Sequence, residues 1–330
     1  MSRSADKSSS SSKSFLSVQV IVAIGIAWAV IALLFFLLFS TPTPNEKGEL
    51  VRAGWYQSGT YLLEQGAWLA AASLCLRNAR SSLIISGRNV WLAIGLGTLS
   101  YFLGNILLGI WELSLGLDPN VSPADIFFVS AYILISLGMV LAVTSRRLNL
   151  VSWQWAVVVL IGVVGAAIAW FVSKPAGTPP PEPAAIVQSA PTPTSQATPT
   201  PTPQATPAPV AVPQSPAWAL ALDKQLQPLA QPLALFYVIM DVVLLIIAAM
   251  LLLAFWGGRF SQSWRMIAAA AFSLYIADIW FKYAANTNPN YQTGDLLEVF
   301  WIFSAVLFAI GAALEHDVSL KASRRSRRRG

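Results

Sequence analysis

Apolar residues in this chain come in long blocks, and short segments between them hold most of the charges. A helix needs about 20 apolar residues to cross the hydrocarbon core of a membrane. Eight stretches reach that length: Phe15–Phe39, Tyr61–Arg80, Val90–Leu115, Asp125–Thr144, Val151–Val172, Leu233–Trp256, Met266–Ala285 and Gly294–Leu314. The second is the most polar, because Glu64, Gln65 and Arg77 interrupt it. The pattern predicts an all-α, polytopic membrane helix bundle of about eight transmembrane helices. The first stretch follows Arg3, Lys7 and Lys13, as a signal peptide would, but it is too long and Phe39-Ser40-Thr41-Pro42 is no small-x-small cleavage site. It reads as a retained signal anchor.

Composition agrees. Hydrophobic residues make up 55% of the 330 and charged residues 11%, against about 25% charged in a soluble domain. The basic residues cluster in alternate loops: the N-terminus, Arg77 to Arg88, Arg146-Arg147, Arg259 to Arg265 and the segment after Leu314. Lys and Arg set orientation, so these segments are expected in the cytoplasm, with both termini, in a plasma-membrane protein. The other loops carry Lys47, Arg52, Lys174, Lys224 and Lys282. Acidic residues show the opposite bias, with Asp6, Glu315 and Asp317 alone on the inner side. Topology does not require that.

The expected organisation is a disordered N-terminus at 1–14, a five-helix membrane half at 15–174, a Pro/Thr-rich extracytoplasmic linker at 175–216, a three-helix half at 217–316 and a basic tail at 317–330. The linker, with runs such as Thr198-Pro199-Thr200-Pro201, has no apolar face to bury and reads as an extended spacer. Trp218, Leu222 and Leu226 behind it predict a short interfacial helix. In the tail, Arg324, Arg325, Arg327, Arg328 and Arg329 either set topology or attract anionic lipid headgroups. No folded module presents them to nucleic acid, which is not an expected partner.

Shifting the sequence by about 170 positions aligns its two halves at the loops. Asp118-Pro119-Asn120 falls on Asn288-Pro289-Asn290, and Ala124-Asp125 on Gly294-Asp295. The unit is three helices, and both copies start on the same side. Two parallel three-helix repeats related by an axis along the membrane normal are expected, as in some transporters.

Polar residues recur on one face of these repeats. Tyr101, Asn105 and Glu112 share a face of the third span, and Tyr275, Asp278 and Lys282 lie on the seventh. Asp278 and Lys282 are four apart and can pair on their own helix. Tyr237 and Asp241 lie on the sixth span, Asp125 opens the fourth, and Asp295, Glu298 and Trp301 share a face of the eighth. A bare charge inside a membrane helix costs several kcal/mol, so such residues face a water-filled cavity or one another. One reading is an outward-opening acidic cup rimmed by Trp111, Trp280 and Trp301 that binds a small ligand. The competing readings are that Asp125 and Asp295 cap helices, that Trp111 and Trp280 belong to an interfacial belt, and that Asn105, Asp241, Asp278 and Lys282 clamp helices together.

The pattern Gly104-Asn105-x5-Trp111-Glu112, then Asp118-Pro119, then Pro123-Ala124-Asp125-Ile126-Phe127-Phe128, resembles the multi-helix membrane sensor region found ahead of GGDEF and EAL domains in some cyclic-di-GMP signalling proteins. Ala277-Asp278, Gly294-Asp295-Leu296 and Trp301 fit the second half of such regions. The resemblance spans roughly 55–172 and 230–315 and implies a sensory fold. It departs from the pattern in its Pro/Thr-rich insert and in having no cyclase or phosphodiesterase domain after Leu320, so output is expected through a separate cytoplasmic or membrane protein partner.

The functions left open are a sensory or ligand-binding module, a small-solute or ion transporter, and an accessory or scaffold subunit. No nucleophile–base pair, phosphate loop or HExxH motif is present, so no catalytic residue, enzyme activity or cofactor is expected. The single Cys75 and single His316 leave no Cys/His metal site. Membrane lipid and an unidentified small ligand are the other expected partners.

Overall fold

The computed structural model describes residues 17–44, 48, 50–117, 121–144, 150–173, 215–255, 261–288 and 291–327. The 1–14 N-terminus, nearly all of the 175–216 linker, the Asp118-Pro119-Asn120 and Pro289-Asn290 motifs, Arg146, Arg147, Arg328 and Arg329 lie outside the described residues.

The chain is all-α, apart from a two-residue antiparallel ladder between β1 (Thr43–Pro44) and β2 (Leu50–Val51). The helices are α1 (Val18–Phe39), α2 (Gly54–Arg80), α3 (Arg88–Gly109), α4 (Asp125–Thr144), α5 (Ser152–Val172), α6 (Ala217–Leu226), α7 (Ala230–Ala254), α8 (Ser261–Thr287) and α9 (Val299–Arg327). A π-helical turn, Ile110–Ser114, continues α3, and 3-10 turns precede α7 and α9. Among the described residues, seven helical stretches are long and apolar enough to cross a membrane. This is a membrane protein. The polar α2 is an eighth long helix, and it begins at Gly54, before the Tyr61 expected from its apolar run. At the other end of the chain, α9 runs on as helix through Arg327, so the backbone shows no break where a separate tail was expected at 317.

Six helices close a ring in the order α2, α3, α4, α7, α8, α9, with α9 packing back on α2. α1 lies outside, against α9 and α2, and α5 lies outside, against α7 and α8. This arrangement explains how α2 tolerates its polar residues. Thr60, Glu64 and Asn78 of α2 are buried, and Asn78 Nδ2 donates to the Ala312 carbonyl of α9 at 2.8 Å. On α1 the pattern reverses. Ala32 and Phe36 are its buried residues, while Ile24, Ile31 and Leu38 are exposed, as a lipid-facing helix requires.

Small residues let the ring close. A Cβ on Gly138 of α4 would lie 2.5 Å from Ile94 of α3, and one on Gly311 of α9 would lie 2.7 Å from Ile267 of α8. Both members of these contacts are about 173 positions apart in sequence. The same spacing relates Trp91 to Trp264, whose rings meet with centroids 5.8 Å apart. The helix packing is thus offset by three positions from the loop alignment at 170, and it relates Asn105 to Asp278 rather than to Tyr275.

Candidate functional site

Helices alternate in direction, so α2, α4, α7 and α9 begin at the end of the bundle where α1, α3, α5 and α8 finish. The acidic side chains converge at that end, below called the acidic end. They form two linked groups.

The first group joins α4, α7, α8 and α9. The Tyr132 hydroxyl of α4 lies 2.6 Å from Asp241 Oδ1 of α7 and also contacts Asp278 Oδ2 of α8. Lys282 Nζ pairs with Asp241 Oδ2 at 2.9 Å, and the Trp301 indole donates to Asp278 Oδ1 at 2.9 Å. Lys282 therefore crosses to α7 instead of bonding Asp278 on its own helix as the four-residue spacing predicts. The neighbouring helix offers a carboxylate buried to 1% exposure, where a charge partner matters most. Trp301 is not a rim residue, because its indole is committed to the interior of this group.

The second group joins α2, α3, the π turn and the segment before α9. Asn105 Nδ2 donates to Glu64 Oε2 at 2.5 Å. Glu112 Oε2 accepts from Tyr61 at 2.6 Å and from Thr293 at 2.9 Å. Gly294 adopts φ 106°, a left-handed conformation suited to glycine. Its N–H donates to Glu298 Oε2 at 2.6 Å, and its carbonyl accepts from Tyr56 at 2.6 Å. A side chain here would strike the Tyr56 ring, 2.8 Å from the added Cβ. Glu298 is 1% exposed, and its Oε1 has no hydrogen-bond partner among the described residues.

Two acids stand at helix starts. Of these Asp295 is an N-cap, as the capping reading expects, whereas Asp125 is the first residue of α4 and bonds back to the turn before it. Asp125 accepts from the Ser122 backbone N–H at 2.8 Å and also from Tyr237 of α7 at 2.5 Å. Asp295 accepts from its neighbour's Leu296 N–H at 3.1 Å, pairs with Arg52 at 3.2 Å and accepts from the Trp280 indole at 3.2 Å. Arg52 is held in turn by the Ser40 carbonyl at 3.0 Å and by Gln292.

Other expected residues fall elsewhere. Tyr275 donates to the Gly165 carbonyl of α5 at 2.8 Å and ties those helices below the acidic groups. Trp111 is buried with Leu117 against Ala219 of α6, the helix expected after the linker. The expected open cup is, at the described residues, a set of side chains bonded to one another. Arg324, Arg325 and Arg327 form the last turn of α9 at the opposite end of the bundle, where Arg324 and Arg325 are exposed. No group of His, Cys, Asp or Glu among the described residues is arranged to hold a metal ion.

Glu64, Tyr61, Tyr132, Thr293 and Arg52 take part without having been expected. Glu64 interrupts the apolar run of its span, and an acid in the middle of a membrane helix is itself a functional signal. Tyr132 sits in an otherwise apolar run and carries no charge to mark it.

Compared with known proteins, the chain matches no family model, no curated protein and no solved structure.

Proposed function

We propose that this membrane protein is a sensory or ligand-binding module whose acidic end takes a small cationic ligand, such as a metal-free inorganic cation or a protonated amine, and passes the change to a separate protein partner. The observation that carries this reading is the charge balance. Glu64, Asp125, Asp241, Asp295 and Glu298 converge at one end, and among the described residues the bases paired with acids there are Arg52 and Lys282. Buried charge without compensation is costly, so a cation is the natural guest. Its seat is the Glu64–Glu298 side, because Lys282 and Arg52 are already taken by Asp241 and Asp295. The likeness to sensor regions of cyclic-di-GMP proteins supports the same reading, and the distribution of basic residues among the loops favours an acidic end that faces outward.

A transporter is the second reading. It is favoured by the equal spacing of the Gly138–Ile94 and Gly311–Ile267 contacts, which fits two parallel repeats.

Native mass spectrometry of the protein extracted in its own lipid tests the proposal, with wild type beside Glu64→Gln/Glu298→Gln. A small cationic mass on wild type that is missing from the folded double variant supports it. Ligand-free wild type contradicts it, and co-purifying protein chains without a ligand point to an accessory subunit.

A further inference from the structure

One hydroxyl cannot satisfy two carboxylates. Tyr132 carries a single O–H hydrogen, yet its oxygen is within hydrogen-bond reach of Asp241 Oδ1 and of Asp278 Oδ2. If both acids were ionised, one of these contacts would set a carboxylate oxygen against a phenol oxygen with no hydrogen between them. We infer that this group binds one further proton, seated on Asp278 Oδ2, which donates to Tyr132, which donates to Asp241.

The direction of the chain follows from the outer partners. Lys282 bonds Asp241 Oδ2 at 2.9 Å, and an ammonium group holds its partner in the carboxylate form. At its other oxygen Asp278 accepts from the neutral Trp301 indole. Its carboxyl also bonds that of Asp241, and Lys282 acts on it through space while its own ion pair is to Asp241. With the proton on Asp278, the Asp241, Asp278 and Lys282 set is neutral. Without it, the set carries one net negative charge between helices that face lipid, a costly state at that depth.

Every packed element contributes to this environment. α7 brings Asp241 and Tyr237, α8 itself brings Lys282, and α4 brings Tyr132. Tyr101 of α3 and Glu64 of α2 are within electrostatic range of Asp278. α9 presents the Trp301 indole, and the 3-10 turn before it carries Glu298 and Asp295, the latter taken by Arg52 and Trp280. Among the described residues Lys282 is the base that acts on Asp278, and it is paired with Asp241, so a proton completes the set.

The bound proton ties α4 to α8. Its release leaves two carboxylates competing for one hydroxyl, and the acidic end then parts between these helices. Raising the pH therefore loosens the contact, and lowering it restores the chain. This goes beyond the ligand reading and does not depend on it, because the ligand's seat lies on the Glu64 side.

The test is infrared spectroscopy of the whole protein in lipid at neutral pH, with the aspartate side-chain carboxyl carrying carbon-13. A protonated carboxyl absorbs in a region where carboxylates do not. The expected result is a protonated-carboxyl band that the aspartate label shifts, that Asp278→Asn removes and that Asp295→Asn leaves in place. The asparagine keeps a donor toward Tyr132, so the fold is expected to survive. No labelled band in wild type, or an unchanged band in Asp278→Asn, overturns the inference. If Asp278→Asn does not fold, the labelled wild type decides together with Asp125→Asn. A band that persists in Asp125→Asn supports the seat on Asp278, and a band lost in it overturns that seat.

Discussion

The two halves of the ring solve the same problem differently. In the first half, the buried Glu64 of α2 is met by a neutral amide, Asn105 of α3. In the second, the buried Asp241 of α7 is met by the Lys282 ammonium of α8. The spacing that matches Trp91 with Trp264 places the acid Asp278 where the first half has Asn105. One half therefore relies on a neutral donor, and the other on a base and a second acid. The second arrangement is the more sensitive to any change in charge, because truncating one partner of a buried ion pair strands the other.

Substitutions of the group that meets the buried acid in each half sharpen this contrast. The largest effect is expected from Lys282→Met, which strands Asp241 and should cost about 3–5 kcal/mol, read as unfolding in mixed micelles. Asn105→Leu removes a donor from Glu64 without removing a charge. Hydrogen bonds between membrane helices are worth about 1–2 kcal/mol at most in model systems, so its cost should be in that range and below that of Lys282→Met. Equal losses from the two would erase the distinction between the halves.

The glycine contacts give a smaller and independent comparison. A Cβ at Gly138 would come within 3.0 Å of the Ile94 backbone nitrogen and the Val90 carbonyl, which cannot move aside easily. At Gly311 the closest atom is the tip of the flexible Ile267 side chain, and the backbone oxygen of Ser263 is 3.2 Å away. Overpacking costs about 1–3 kcal/mol. Gly138→Ala is expected inside that range and Gly311→Ala below it, measured by the same unfolding assay.

Much of the bundle was legible because apolar length is a direct consequence of membrane thickness. α1, α4, α5 and α7 fall within a few residues of their apolar runs. The polar faces of α3 and α8 were also legible, since helical spacing alone brings Asn105 and Glu112, or Asp278 and Lys282, onto one side. The partners were not. The rule that residues four apart pair describes a lone helix, and it fails for Lys282 because α7 presents a more deeply buried acid. The register of the halves was hidden for another reason. Between Asn105 and the loop at Asp118 the first half has three residues more than the second has between Asp278 and Asn288. That stretch includes the π turn at Ile110–Ser114, where the backbone takes in extra residues. Loops then align at one spacing and helices at another. Tyr132 shows a third limit, because a lone tyrosine in an apolar run is normally core, and only the approach of α7 and α8 gives its hydroxyl a role.

The account stands on the claim that Lys282 is present to balance Asp241. A double-mutant cycle in unfolding stability, with Lys282→Met, Asp241→Asn and the two combined, tests it most directly. The predicted result is a severe loss from Lys282→Met alone that Asp241→Asn largely repairs, because the stranded charge is gone. Losses that simply add would contradict it and leave the two residues as unrelated packing elements.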